Sequence, residues 1–213
     1  GSKSDKSQRM EIELKYLVDD REIARQIFED EEILKLKNEG SDNFIPMHAI
    51  YFDTKDEALA ENLMAMRIRL EGKVYVATLK WSGGSENGLH KREEINVKVS
   101  DEKLISNPEI DIFSRWGIFD ELKAVTKGQK LVPIMEMRFN RREFRLDTGK
   151  SVSILSYDLG EIRAKGRTTP VSEVELELFH GDEKDFRELG RKISAKYLLK
   201  PEDLSKFQRG RLL

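Results

Sequence analysis

Charged residues recur at every second position in five separate segments of this 213-residue chain, and that spacing limits the fold more than any other feature. The sets are Glu11, Glu13 and Lys15; Arg67 and Arg69; Arg92, Glu94, Asn96 and Lys98; Arg141, Glu143 and Arg145; and Glu173, Glu175 and Glu177. In a β-strand such positions point to one side. One strand of this kind is an ordinary solvent-facing strand. Three carboxylates about 7 Å apart on one strand face, as at Glu173–Glu177, repel each other unless cations lie between them. The arginine sets lack anions in the same way. One geometry meets both needs: strands closed into a barrel, charged faces inward, apolar faces outward beneath helices. Small barrels usually fill their interiors with apolar side chains, so a polar lumen implies a ligand. Carboxylates suit hard cations such as Mg²⁺ or Mn²⁺, and Arg and Lys suit phosphate oxygens.

The rest of the pattern is that of an α+β protein. Alternation predicts strands over 10–18, 48–54, 64–72, 73–81, 91–99, 134–146, 152–158, 162–165 and 171–179, with a Gly/Ser loop at 82–88. Asp19-Asp20 opens an amphipathic helix reaching Ile33, and Asp182 caps a helix that Pro201 ends. Residues 101–130 read as helical without clear boundaries, and residues 203–213 as a last short helix. Residues 1–9 are polar, begin with a Gly1-Ser2 tag-like scar, and are set aside. One domain over 10–213 is expected.

Composition narrows the function. Charged residues make up 37%, above the roughly 25% of ordinary globular proteins, yet 38 Lys+Arg against 40 Asp+Glu leave a net charge of −2. That balance speaks against a nucleic-acid partner, which usually selects a basic excess. Cysteine is absent, so disulfides and thiolate zinc sites are excluded. No apolar run has the length of a membrane span and no signal peptide is visible, so a cytoplasmic protein is expected. There is no P-loop. His48, His90 and His180 lack metal-ligand spacing and read as surface or packing residues. Trp81 and Trp116 read as core or rim, and Met64 and Met66 as core.

Several motifs in order resemble one family. MEIELKYLV carries ExExK, followed by YFDT at Tyr51, MRIR at Met66, TLK ending at Lys80, and GLHKREEINV at Gly88. YDLGEIRA at Tyr157, SEVELELFHGD at Ser172 and LSKFQRG at Leu204 complete the set. Together they resemble the CYTH superfamily, the triphosphate tunnel metalloenzymes, and within it bacterial inorganic triphosphatases. The resemblance implies a closed eight-stranded antiparallel β-barrel with helices outside and a metal-bound triphosphate at its centre. Carried over by position, Glu11, Glu13, Glu94, Asp158, Glu173 and Glu175 would hold metal; Glu177 has the right parity but the weakest carry-over. Lys15, Arg67, Arg69, Lys80, Arg92, Arg141 and Arg163 would line a basic wall, and Lys206 and Arg209 would close over the substrate. Glu13, Lys15 and Glu175 are the expected catalytic residues. The segment 101–130 matches no family motif. Some relatives continue into a helical CHAD domain, so the chain is either a stand-alone enzyme or a trimmed piece with a C-terminal CHAD partner.

The expected reaction is hydrolysis of tripolyphosphate to pyrophosphate and phosphate by water, assisted by two divalent ions, Mg²⁺ or Mn²⁺. Thiamine triphosphatase, nucleoside triphosphatase, class IV adenylate cyclase and a non-catalytic polyphosphate-binding module are the alternatives. Paired acids on two strands speak against the last, because an anion binder gains nothing from them.

Overall fold

The computed structural model describes residues 8–213, and the tag expected at the N-terminus lies mostly outside them. Gln8 and Arg9, set aside above with the N-terminal residues, begin β1 (Gln8–Leu17). The barrel continues with β2 (Asn43–Asp53), β3 (Ala65–Glu71), β4 (Val74–Glu86), β5 (Leu89–Val99), β6 (Val132–Asp147), β7 (Ser151–Ala164) and β8 (Arg167–Gly181). Neighbours run β5-β4-β3-β2-β6-β7-β8-β1, and β1 pairs with β5 to close the ring, all antiparallel. Closure leaves none of these eight strands with a free edge. A two-residue β9 (Lys200–Pro201) adds to β1 opposite Tyr16 and Leu17.

Two sequence expectations for the strands change. The Gly/Ser stretch is not a loop: β4 runs through it to Glu86, with its register shifted between Trp81 and Gly84. The turn shrinks to Asn87-Gly88, both at positive φ (51° and 83°), the conformation that suits a two-residue hairpin. The expected gap between 158 and 162 is absent too. There β7 is continuous, and a Cβ on Gly160 would lie 2.0 Å from Arg138 O and 2.4 Å from Phe139 Cα. That glycine marks a close approach of β6 and β7, not a strand end.

Helices cover the outside. The expected single helix after β1 is two, α1 (Arg21–Phe28) and α2 (Glu31–Leu34), because Asp30 turns the chain and caps the second, accepting from Glu32 N and Ile33 N at 2.9 and 3.1 Å. A short α3 (Ala58–Glu61) follows β2. The uncertain segment resolves into α4 (Glu102–Ser106), a 3₁₀ turn (Ile110–Phe113) and α5 (Phe119–Thr126). Phe113, Trp116 and Leu122 from it pack with Met64, Met66, Leu79, Trp81 and Ile95 over the outer face of β3–β5. After β8 comes α6 (Glu183–Tyr197), capped by Asp182, whose carboxylate accepts from Asp185 N at 3.0 Å. It ends on Leu198 at φ 53°, and Pro201 pairs in β9 instead of stopping the helix. Its apolar face buries Phe186, Leu189 and Ile193 with Ile27, Phe28, Phe144, Leu155 and Leu176. Each such buried side chain contributes about 1.5–3 kcal/mol, so the fold is held from outside the ring. The final α7 (Lys206–Arg211) plugs one end of the barrel, with Phe207 among Tyr51, Met135 and Ile162. Among the described residues no helix is long and apolar enough to cross a membrane.

Candidate active site

The alternation that sends apolar side chains outward sends the charged sets into the barrel. They surround a cavity of about 390 Å³ lined by nine basic and six acidic side chains. Its wall is therefore positive although the chain as a whole carries −2. The basic side comes from β3, β4, β5 and β6: Arg67, Arg69, Lys80, Arg92, Lys98 and Arg141. Beside it on β2 and β6 is an uncharged strip of Ala49, Tyr51, Met137 and Phe139. The acidic side comes chiefly from β1 and β8, paired so that Glu13 faces Glu177 and Lys15 faces Glu175.

The basic wall is only partly neutralised: Arg69 donates to Glu71 at 3.1 Å, Lys80 to Glu11 at 2.8 Å and Arg141 to Asp158 at 2.7 Å. Burial, with Arg67 and Arg141 beside it, pushes Arg69 down to about 10. Arg67 donates to the Tyr51 hydroxyl at 3.2 Å, while its buried Nε has no hydrogen-bond partner. Burial favours the Tyr51 phenol, yet Arg67, Lys80 and Arg69 bring it down to about 8. Three guanidinium groups and a lysine crowd one region, and Arg67 pairs with no carboxylate among the described residues, only with the Tyr51 hydroxyl. A dense anion placed there would relieve the repulsion.

The acids form two groups, each with carboxylate oxygens within 4.8 Å of one another: Glu11, Glu13 and Glu177; and Asp158, Glu173 and Glu175. In the first, Lys80 donates to Glu11 at 2.8 Å and Arg9 to Glu177 at 2.9 Å, but Glu13 is met only by Lys15, 3.7 Å away, among the described residues. Burial, with Glu175 and Glu11 near, raises Glu13 to about 8, and burial beside Glu11 raises Glu177 to about 7. Oxygen donors that are crowded and under-neutralised fit a divalent cation. The second group is neutralised by neighbouring cations. Arg141 grips Asp158 with two hydrogen bonds of 2.7 and 2.8 Å, and Lys206 adds a third at 2.7 Å. Burial opposes ionisation of Asp158 and Glu175, but Arg141 and Lys206 outweigh it at the first and Lys206, Lys15 and Arg141 at the second, so both are held low.

Most of the expected residues converge here, with four exceptions. Arg163 does not line the cavity; it is exposed on the outer face of β7, 3.2 Å from Glu161. Asp158 and Glu173, 0% exposed, lie behind the wall among lysines and arginines. Arg209 reaches Glu173 and does not line the cavity. Of the β6 set, Arg141 faces the lumen, whereas Glu143 and Arg145 flank the 38–41 loop. Glu177, the weakest carry-over, stands beside Glu11 and Glu13. Residues missed were Arg9, Tyr51 and His90. Arg9 keeps the two-residue register of Glu11 and Glu13, a signal available in the sequence. His90 lines the lumen and donates to Glu202 O at 2.7 Å, its pKa lowered to about 4 by burial and Lys15.

A family model described as the CYTH domain matches residues 9–210. The chain is 30% identical over 165 residues to an inorganic triphosphatase of Haemophilus influenzae, covering 76% of this chain and 44% of that protein. It thus spans less than half the length of that curated relative. Among solved structures, a Hippeastrum protein provisionally assigned as an adenylyl cyclase and reported to have a dominant triphosphatase activity superposes with a TM-score of 0.71, at 20% identity over 95% of each chain. A Bacillus halodurans protein provisionally assigned as an adenylate cyclase gives a TM-score of 0.67, at 23% identity over 95% of this chain and 98% of that one. These two share the fold.

Proposed function

The chain belongs to the CYTH domain family, and from that premise we propose that it is a metal-dependent hydrolase that converts inorganic triphosphate to pyrophosphate and phosphate inside the barrel. The observation that carries this reading is the crowding of Arg67, Arg69 and Arg141 in a buried, net-positive cavity. A tripolyphosphate supplies many oxygens to many donors in a small volume, which a carboxylate or a sulfate cannot do. Arg67, Arg69, Lys80, Arg92 and Arg141 bind and orient the chain of phosphates, and their fixed charges answer those that develop on the transferred phosphoryl group. Lys15, within 3.7 Å of Glu13 and 3.5 Å of Glu175, holds the acidic side at a set distance from the phosphates.

Glu11, Glu13 and Glu177 would hold Mg²⁺ or Mn²⁺, oxygen-only donors of the kind both ions prefer. When bound, such an ion supplies a water of lowered pKa and polarises phosphate oxygens. Glu13 keeps its expected catalytic role through the metal; Glu175, expected to act through metal as well, is held by Lys206, Lys15 and Arg141 and instead positions Lys15. The strip of Ala49, Tyr51, Met137 and Phe139 is the part of the wall that an organic group on the triphosphate could cover. Thiamine triphosphate and ATP are therefore the second reading. The test is phosphate release from tripolyphosphate, ATP and thiamine triphosphate, each with Mg²⁺ and with Mn²⁺. A higher kcat/KM on tripolyphosphate than on either organic triphosphate supports the proposal; the reverse, or formation of cyclic AMP, replaces it.

A further inference from the structure

Both acidic groups bring carboxylate oxygens within 4.8 Å of one another, but their surroundings differ, and the difference concerns how many ions this tunnel takes. In the group of Asp158, Glu173 and Glu175, five of the six carboxylate oxygens accept a hydrogen bond from Arg141, Lys206 or Arg209. The sixth, Glu173 Oε2, has no hydrogen bond but lies 3.4 Å from the ammonium groups of both Lys15 and Lys206. Lys206 Nζ is the common point, 2.7 Å from Asp158, 3.4 Å from Glu173 and 3.1 Å from Glu175. It is a cation among three carboxylates, which is the arrangement a divalent ion would have. The group of Glu11, Glu13 and Glu177 has no such central cation among the described residues.

Lys206 and Arg209 both belong to α7, and the approach to that helix is fixed from several sides. Ser205 and Gln208 form a capping box, and the ring of Phe207 stacks on Tyr51 with centroids 5.0 Å apart. Before it, Glu202 N donates to Lys15 O at 2.9 Å, and the Asp203 carboxylate accepts from Gly88 N at 2.6 Å. A divalent ion among Asp158, Glu173 and Glu175 would face Lys206 and Arg209 as like charges in a dry site, so ion and docked helix compete for the same oxygens.

We propose that the Lys206 ammonium stands in place of a second divalent ion, so that the protein with α7 docked binds one ion, at Glu11, Glu13 and Glu177, and gains a second site only when Lys206 is withdrawn. This rests on the metal-dependent reading above and departs from the expectation of two ions. Mn²⁺ is titrated into chelator-stripped protein, bound ions are counted by calorimetry and by electron paramagnetic resonance, and hydrogen exchange over 206–211 is followed in parallel. The wild type should bind one equivalent with protection of 206–211 unchanged. Glu13→Gln should weaken that site tenfold or more, and Lys206→Met should bind two equivalents. Two equivalents in the wild type, loss of protection of 206–211 on Mn²⁺ binding, or a single equivalent in Lys206→Met overturns the proposal. The wild-type count and exchange decide the matter even if Lys206→Met does not fold. No bound ion at all would sink the metal-dependent reading itself, whereas two in the wild type would sink only this one.

Discussion

Replacing Asp158 by Asn keeps its volume and removes one charge at the most heavily used anion of the barrel. Asp158 is 0% exposed and carries three charge-assisted hydrogen bonds, two from Arg141 and one from Lys206. Arg141 would keep one acceptor, but the Asn amide would turn N–H groups toward a cation, and two buried positive charges would lose their closest partner. Removing one member of a buried ion pair costs about 3–5 kcal/mol. For a domain of this size each kcal/mol lowers Tm by about 2–4 °C, so a fall on the order of 10 °C is expected. Urea and thermal denaturation followed by circular dichroism, in chelator and without phosphate, measure it. Tripolyphosphate should return part of the loss, because it brings anionic oxygens to Arg141. A loss below about 1 kcal/mol would mean that the neighbouring carboxylates Glu173 and Glu175 suffice, and the assignment of Asp158 as anchor for Arg141 and α7 would be wrong.

Arg69→Met should bind tripolyphosphate at least tenfold more weakly by calorimetry while the ligand-free protein melts little lower, since relief of the repulsion from Arg67 and Arg141 offsets the lost 3.1 Å pairing with Glu71; a large loss of ligand-free stability would contradict the reading of strain. His90, held near 4 when folded against about 6.5 unfolded, makes the unfolded chain bind more protons between those values. Its contribution is therefore present above 6.5 and lost as pH falls toward 4, with a slope of up to about 1.4 kcal/mol per pH unit that His90→Gln should remove from a Tm-against-pH series. Gly160→Ala should cost at least about 3 kcal/mol in urea melts, at the upper end for overpacking, because its Cβ would meet backbone atoms of Arg138 and Phe139; a near-neutral result would show that β6 and β7 can part there.

The inward face of the barrel was legible because parity is local. Glu11, Glu13, Arg67, Arg69, Glu94, Glu175 and Glu177 reach the cavity as their two-residue spacing requires. Where the sequence reading broke a strand, parity was lost with it. Arg163 was carried to the wall by the family resemblance, and a strand broken at 159–161 left parity unable to check it; in the continuous β7 it is an odd number of residues from the inward Asp158 and points out. Arg9 was missed because the strand was begun two residues too late, at Met10 and not Gln8. Pairing over long separations could not be read at all. Lys206 meets Asp158 across 48 positions, and nothing in the local pattern says that this ammonium fills one acidic group and leaves the other open. Depth was equally hidden, since Asp158 and Glu173 lie behind the wall only once α7 has closed over them.

The central claim is that the acidic group of β1 and β8 works through a metal while the basic wall binds phosphate. Steady-state phosphate release from tripolyphosphate by wild type and Glu13→Gln, with calorimetric binding of tripolyphosphate to the same variant, tests it most directly. The account predicts a loss of a hundredfold or more in kcat, about 2.7 kcal/mol of barrier, with tripolyphosphate still bound. Hydrolysis by Glu13→Gln at close to the wild-type rate would contradict it, and the carboxylates of this barrel would then need another purpose.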